Sequence, residues 1–274
     1  MMQAFICTTC GTQFAPTEQP PGHCPICEDE RQYIGYQGQQ WTTLEALRAE
    51  RHTLIKEHEP GLTGIGIEPS LGIGQRALLV EALGGNILWD CIPLLDDAAV
   101  EAVRARGGLS AIAISHPHYY SGMLEWSQAF GDVPIYLHAA DRQWVMRPDA
   151  AIVFWEGETH PLGEDLTLIR CGGHFPGGTV LHWTAGADGR GALLTGDIIH
   201  VVADRRHVSF MYSYPNLIPL PASAVQHIVR AVDHFAFERI YGAWFPTIVA
   251  SDAKAAVERS AARYLRALEG EFPA

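Results

Sequence analysis

The chain has 274 residues, of which 47% are hydrophobic and 18% are charged, and this composition excludes disorder over most of its length. The 19 Lys and Arg residues against 31 Asp and Glu residues give a formal net charge of −12, which repels phosphate backbones and disfavours nucleic acid as a partner. No apolar run approaches the roughly 18 residues of a membrane helix, and the first nine residues have no secretory pattern. We therefore expect a cytoplasmic protein that acts on a small molecule and has neither a membrane nor nucleic acid as a partner. Composition carries no information on its oligomeric state.

Four of the six cysteines form two CxxC pairs near the start of the chain. Cys7 and Cys10 make the first pair, and Cys24 and Cys27 make the second after thirteen intervening residues. Each pair brings two thiolates within reach of one ion, and the first forty residues hold too few apolar side chains to fold without such an ion. The pattern resembles a zinc ribbon or a rubredoxin knuckle pair. Because Glu28 stands where rubredoxins have Gly, we favour structural zinc over redox iron or disulfides and predict a zinc ribbon-like module over residues 1–40.

The segment after this module predicts a helix and then strands. Thr42 and Glu45 form a capping box, and the following residues predict a connecting helix from about Thr43 to His58, within residues 41–60. Short apolar runs separated by Gly then predict antiparallel strands. These strands are expected at 62–67, 76–82 and 86–89.

The remainder of the chain alternates apolar runs with amphipathic segments, which predicts an α/β protein with a mixed sheet and flanking helices over residues 61–274. The predicted strands are 109–115, 133–138, 166–171, 180–184 and 192–196, with a hairpin loop at 185–191. Helices are expected from Asp96 or Asp97 to Gly107, over 123–130, around Val225 to Val232, and from Ser251 or Asp252 to Leu268.

Histidines follow two of the predicted strands, where metal ligands are commonly placed. His116 and His118 follow the first of them, and residues two apart in an extended backbone face the same side. Pro117 disfavours a helix at His116 and so favours this arrangement. His174 lies in a glycine-rich turn, and Asp197 ends a buried strand, where a carboxylate needs a charged or metallic partner.

These motifs together resemble those of the metallo-β-lactamase fold superfamily over about residues 60–270. The resemblance implies an αββα metallo-β-lactamase-like sandwich with its metals at the edge between two sheets. It also implies a role for each matching position. The strand-ending Asp90 matches the family's first motif, His116, His118 and His174 match the ligands of the first metal, and Asp197 matches the bridging carboxylate.

The sequence departs from this family where the second metal would bind. Tyr120 and Ser121 replace an Asp and a His, and Ala243 and Trp244 stand where a late His is expected. A mononuclear site holding one Zn or Fe is therefore expected. Asp90 is interpreted as a structural acceptor that fixes loops near the site.

The favoured interpretation is a metal-dependent hydrolase-like protein that acts on an ester, a thioester or a lactone. The metal would lower the pKa of a bound water, Asp197 would orient the ion or accept a proton, and Tyr120 would donate to the developing oxyanion. One alternative is a mononuclear Fe(II) oxygenase in which two histidines and Asp197 form a facial triad. The other is a non-catalytic metal-binding protein whose ribbon recruits a partner. The fold alone does not determine whether an ester, a thioester or a lactone is the substrate.

Overall fold

The computed structural model describes residues 2–272, and its internal contacts divide the chain into two compact units, Met1–Trp155 and Glu156–Ala274. Each unit contains its own large sheet, with seven strands in the first and six in the second. Within residues 2–272, no helix has both the length and the apolar character needed to cross a membrane. The predicted boundaries at residues 40 and 60 stay predictions, since the contacts divide the chain elsewhere.

The N-terminal module is a small two-stranded structure that carries the cysteines. Strand β1 (Phe5–Cys7) pairs antiparallel with β2 (Trp41–Thr43), and a single turn of helix, α1 (Pro25–Glu28), holds the second cysteine pair. Helix α2 (Leu44–Glu50) follows directly, and the Thr43 hydroxyl caps it by accepting the Ala46 N–H at 3.2 Å. The helix begins close to the predicted position, but the predicted capping box of Thr42 and Glu45 is wrong, because the cap is the next residue, Thr43.

The predicted extent of this helix is wrong, because residues 52–59 form a strand. Helix α2 ends at Glu50, and Arg51 is already extended. Strand β3 (His52–Glu59) pairs antiparallel with its neighbour along nearly its whole length. Thr53 and Ile55 are half-buried while Leu54 is exposed, so the burial has the period of a strand. Cross-strand hydrogen bonds thus prevail over the helical propensity of the charged residues nearby.

The large sheet of the first unit is antiparallel at its start and parallel at its end. Its order follows the chain from β3 to β9; the pairs from β3 to β6 are antiparallel, and the pairs from β6 to β9 are parallel. After β3 the strands are β4 (Leu62–Glu68), β5 (Ala77–Val80), β6 (Ile87–Trp89), β7 (Ala111–Ala113), β8 (Ile135–His138) and β9 (Ile152–Trp155). Helix α3 (Asp97–Ala105), capped by Asp96, and helix α4 (Met123–Ala129) connect the parallel strands. Strand β9 was not predicted, although its run of β-branched and aromatic residues is typical of a strand.

The second unit packs two long helices on a mixed six-stranded sheet. The sheet contains β10 (Thr159–Pro161), β11 (Leu166–Arg170), β12 (Thr179–Trp183), β13 (Ala192–Gly196), β18 (Arg239–Gly242) and β19 (Ile248–Val249), in that order. Two hairpins lie outside it, β14 (His200–Val201) with β15 (Val208–Ser209) and β16 (Met211–Ser213) with β17 (Ile218–Pro219). The helices are the short turn α5 (Gly186–Gly189), α6 (Ala222–Asp233) and α7 (Ala253–Leu268). Val225 and Val257 join the helices to the sheet residues Leu193 and Ile240 in one buried core. This core fixes the ends of β11 and β13, after which His174 and Asp197 follow.

Candidate metal centres

The four cysteines of the N-terminal module converge on one point. Their sulfur atoms all lie within 4.8 Å of one another, with Cys7 Sγ 3.5 Å from Cys27 Sγ and Cys10 Sγ 3.7 Å from Cys24 Sγ. All four side chains are buried. Gln39 donates its side-chain N–H to Cys7 Sγ at 3.1 Å, which is the kind of hydrogen bond that stabilises a thiolate.

The chemistry of this cluster fits a thiophilic metal ion. Hydrogen bonding of the Cys10 thiol to the Cys24, Cys27 and Cys7 sulfur atoms, together with burial, raises the pKa of Cys10 well above its usual range. Metal ligation requires thiolates, so an ion bound here would replace the protons of these buried thiols. The four-cysteine set therefore has the composition and the close spacing of a closed metal site.

The first two histidines of the second site lie just beyond β7. His116 has an extended backbone, with φ −172° and ψ 173°, whereas residues 117–119 form one turn of 3₁₀ helix. The expected extended arrangement is thus right for His116 and wrong for His118, because the turn that Pro117 begins carries the second imidazole. The two rings nevertheless converge, with their centroids 5.1 Å apart.

A buried carboxylate anchors the segment before His116. Asp90 Oδ1 accepts the Ser115 N–H at 2.8 Å, and the Ser115 hydroxyl lies 3.0 Å from His116 Nδ1. Burial raises the pKa of Asp90 to about 7, although the hydrogen bonds from Ser115 lower it. The interpretation of Asp90 as a structural acceptor near the site is confirmed. Ser115 was missed as an orienting residue, since a single serine beside a histidine has no distinctive pattern.

The third histidine is held by the glycine-rich turn after β11. Gly172 and Gly173 have φ of +64° and +79°, and a Cβ at Gly173 would lie 2.8 Å from Ile228 Cδ1, so a side chain there meets both strain and a clash. His174 Nδ1 lies 2.7 Å from the backbone oxygen of Tyr212. A carbonyl only accepts, so Nδ1 carries the proton and Nε2 presents its lone pair.

The three imidazoles form a compact group suited to one ion. One ligand nitrogen from each of His116, His118 and His174 lies within 4.8 Å of the other two, and all three side chains are buried. Three neutral imidazoles are a common donor set for a catalytic metal that keeps one position open. The predicted histidine ligands are thus brought together.

Asp197 does not belong to this group of mutually close ligand atoms among the described residues. It is buried at the end of β13, and its backbone oxygen accepts the Tyr214 hydroxyl at 2.6 Å. Its role as a ligand or proton acceptor stays a prediction.

Aromatic and polar side chains occupy the positions where the family pattern has second-metal ligands. Tyr120 is buried, and burial together with the charge of Asp141 raises the pKa of its phenol well above the usual range, so the phenol stays protonated. Trp244 lies against His200, with ring centroids 5.4 Å apart, and His200 lies 4.7 Å from Tyr214. Burial, with the charge of Arg205, lowers the pKa of His200 to about 4, so this imidazole is neutral at pH 7. The role of Tyr120 as a donor to substrate stays a prediction.

Comparison with known proteins identifies the fold. No model of a protein family matches the sequence. The chain is 52% identical over 273 residues to the uncharacterized protein YmaE of Bacillus subtilis (strain 168), and the match covers 99% of each chain.

Solved structures of metallo-β-lactamases are similar to this chain in fold. DIM-1 is 14% identical, with a TM-score of 0.58 over 79% of this chain and 98% of that one. The mono-zinc form of FIM-1 from Pseudomonas aeruginosa is 17% identical, with a TM-score of 0.56 over 78% of this chain and 96% of that one. The predicted α/β metallo-β-lactamase-like fold is confirmed.

Proposed function

The chain belongs to the same family as the Bacillus subtilis protein YmaE, and from its metallo-β-lactamase fold and its three-histidine site we propose that it is a metal-dependent hydrolase. The observation that carries the proposal is the convergence of three buried imidazoles, His116, His118 and His174. Neutral imidazoles buried this close together are typical of zinc sites with an open position. We propose one zinc ion in this site and one structural zinc ion in the four-cysteine module.

In the proposed reaction, the ion and the residues around it have different roles. A zinc ion held by three imidazoles acts as a Lewis acid and brings the pKa of a water that it binds toward about 7. The Tyr212 carbonyl orients His174 and sets the tautomer of its ring, and the Ser115 hydroxyl orients the ring of His116. We assign to Asp197 the acceptance of the proton that the attacking water loses, and to Tyr120 the donation of a hydrogen bond to the developing oxyanion.

Esters, thioesters and lactones are the substrates that we propose, because hydrolysis of each passes through a tetrahedral oxyanion. The three-imidazole set favours this reaction over that of an Fe(II) oxygenase, whose facial triad has two histidines and one carboxylate.

The test is a hydrolysis panel with zinc-loaded protein. We expect turnover of at least one ester, thioester or lactone by the wild type and its loss in His116→Ala. His52→Ala is the matched control, because His52 is an exposed histidine on β3. Activity that survives His116→Ala unchanged, or the absence of turnover on the whole panel by fully loaded wild type, would contradict the hydrolase proposal.

A further inference from the structure

The N-terminal module contacts the loop that carries two of the histidines. We call residues 115–122 the ligand loop. The Gln13 backbone N–H donates to the Ser121 carbonyl at 3.1 Å, and the Ser121 hydroxyl donates to the Gly11 carbonyl at 3.3 Å. A Cβ at Gly11 would lie only 3.2 Å from Ser121 Oγ, so the Ser121 side chain packs closely on the Gly11 backbone. The residue that replaces a second-metal histidine is therefore a contact of the module.

Ser121 needs such support, because its backbone conformation is unfavourable. Its φ of 41° lies in the left-handed region, which a non-glycine residue occupies only where its surroundings hold it there. The side chain is buried, and Gln75 also donates to Ser121 Oγ at 3.5 Å. The module and Gln75 together hold Ser121 in this conformation.

A polar cluster ties the module to the helix that follows the loop. The Gln13 side-chain N–H donates to Glu125 Oε1 at 3.1 Å, and Arg147 donates to the same oxygen at 2.7 Å. Arg147 also donates to Gln13 Oε1. Glu125 lies in the first turn of α4, directly after the ligand loop. Gln13 is buried while Glu125 and Arg147 are partly buried, so removing its amide takes away a hydrogen-bond partner from both members of the charged pair.

The same short segment joins this contact to the four-cysteine site. Gly11 follows Cys10, and its N–H donates to the Cys7 carbonyl at 2.8 Å. Trp144 and Met146, just before Arg147, pack against the cysteine cluster. Filling the cysteine site with metal therefore fixes residues 11–13, which contact Ser121.

Backbone hydrogen bonds within the ligand loop connect the position of Ser121 to that of the two histidines. The Tyr119 N–H donates to the His116 carbonyl at 3.0 Å, and the Tyr120 N–H donates to the Pro117 carbonyl at 3.2 Å. These turns leave few free torsions between Ser121 and His118. A displaced Ser121 therefore displaces the imidazole of His118.

We propose that Gln13 is a positioning residue through which the four-cysteine module holds the ligand loop in its metal-binding shape. Occupancy of the cysteine site then raises the affinity of the histidine site. The module thus supports the histidine site. It contacts Ser121, the position where the family pattern has a ligand of a second metal. This inference rests on metal binding by the three histidines and not on hydrolysis, so its failure is distinguishable from failure of the proposed function.

The first experiment compares Gln13→Ala with Gln37→Ala in the full chain. Gln37 is an exposed glutamine of the same module, and its side-chain oxygen accepts a hydrogen bond from the Gln40 amide, also in the module. With the cysteine site kept filled, competition with a chelator measures the zinc affinity of the histidine site. We expect a loss of about 10- to 100-fold for Gln13→Ala, as is typical when a residue that supports metal ligands is removed. Equal affinities in the two variants would overturn the proposal.

A second measurement separates positioning from a general loss of stability. Cobalt is placed in the histidine site while zinc fills the cysteine site, and the visible absorption bands of cobalt report ligand geometry. We expect these bands to shift in Gln13→Ala and to match the wild type in Gln37→Ala. Unchanged bands in Gln13→Ala would contradict a positioning role. If Gln13→Ala does not fold, Glu125→Gln, which keeps the shape of the cluster, takes its place under the same two outcomes.

Discussion

The two metal centres differ in how many ligands they supply and how far apart those ligands lie in the chain. The cysteine site takes four ligands from 21 consecutive residues, Cys7 to Cys27, whereas the histidine site takes three ligands from residues 116 to 174. Four thiolates close the coordination of a tetrahedral ion, and three imidazoles leave one position open. The closed set is therefore expected to stabilise a small module, and the open set is the one suited to chemistry.

Breaking the cysteine site is expected to have the largest effect. Cys24→Ser removes one of four ligands from a module with few apolar residues, and a structural zinc contributes roughly 10 to 16 kcal/mol to the folding of such modules. We expect the loss of one zinc equivalent and protease sensitivity over residues 1–40, with the six-stranded sheet of the second unit still folded. Elemental analysis and limited proteolysis provide the measurement. Full zinc content in this variant would show that the cysteines do not hold the ion.

Replacing the acidic residue at the end of β13 is expected to have the next largest effect. Asp197→Asn keeps the size of the side chain but removes its charge, so zinc is retained while turnover falls by roughly 10²- to 10⁴-fold, as is typical of a lost acid or base. Turnover on the best substrate and zinc content are measured together. Loss of the metal along with activity would instead identify Asp197 as a ligand.

The histidine site is expected to take a single ion even in excess metal. Tyr120, Ser121 and Trp244 replace ligands that a second ion needs, and Ser121 is in addition a contact of the module. Titration with zinc, followed by removal of loosely bound ions, should leave two equivalents per chain, one in each site. A third tightly held equivalent would show that other side chains complete a second position.

The smallest predicted effect concerns stability at acid pH. Burial, with the charges of Arg76 and Lys56, lowers the pKa of His58 to about 4, against about 6.5 in the unfolded chain. The unfolded state therefore binds the proton first, and the free energy of unfolding falls as pH drops from about 6.5 toward 4. In His58→Gln this decline should be shallower in denaturant titrations at pH 7, 6 and 5. An equal decline in both proteins would show that His58 does not contribute to it.

Sequence reasoning predicted the parts of the molecule whose signals are local. The cysteine pairs, the strands before His116 and His174, and the cap of α3 at Asp96 are all encoded within a few residues, and the structure has them. Residues 52–58 were predicted to be helical because their pairing with β4 depends on residues that follow in the chain. The orienting groups Ser115 and Tyr212 were missed for the same reason, because a carbonyl or a hydroxyl becomes a partner only once the chain has folded.

Ser121 shows most clearly what the sequence leaves out. In the sequence, Ser121 stands where the family motif has a histidine, and the pattern predicts only the loss of a metal ligand. In the structure its carbonyl and hydroxyl contact residues 11–13, more than one hundred positions earlier. That contact depends on the left-handed turn at Ser121 and on the close approach of Gly11, neither of which a pattern of residue types encodes.

The central claim, that three histidines hold one ion and that this ion carries the chemistry, is tested most directly by His174→Ala. Elemental analysis and turnover are measured on the same preparation of the variant and of the wild type. The wild type should hold two zinc equivalents, and His174→Ala should hold one, with the four-cysteine site still filled and hydrolysis lost. Two equivalents in His174→Ala, or hydrolysis at the wild-type rate with only one, would contradict the claim.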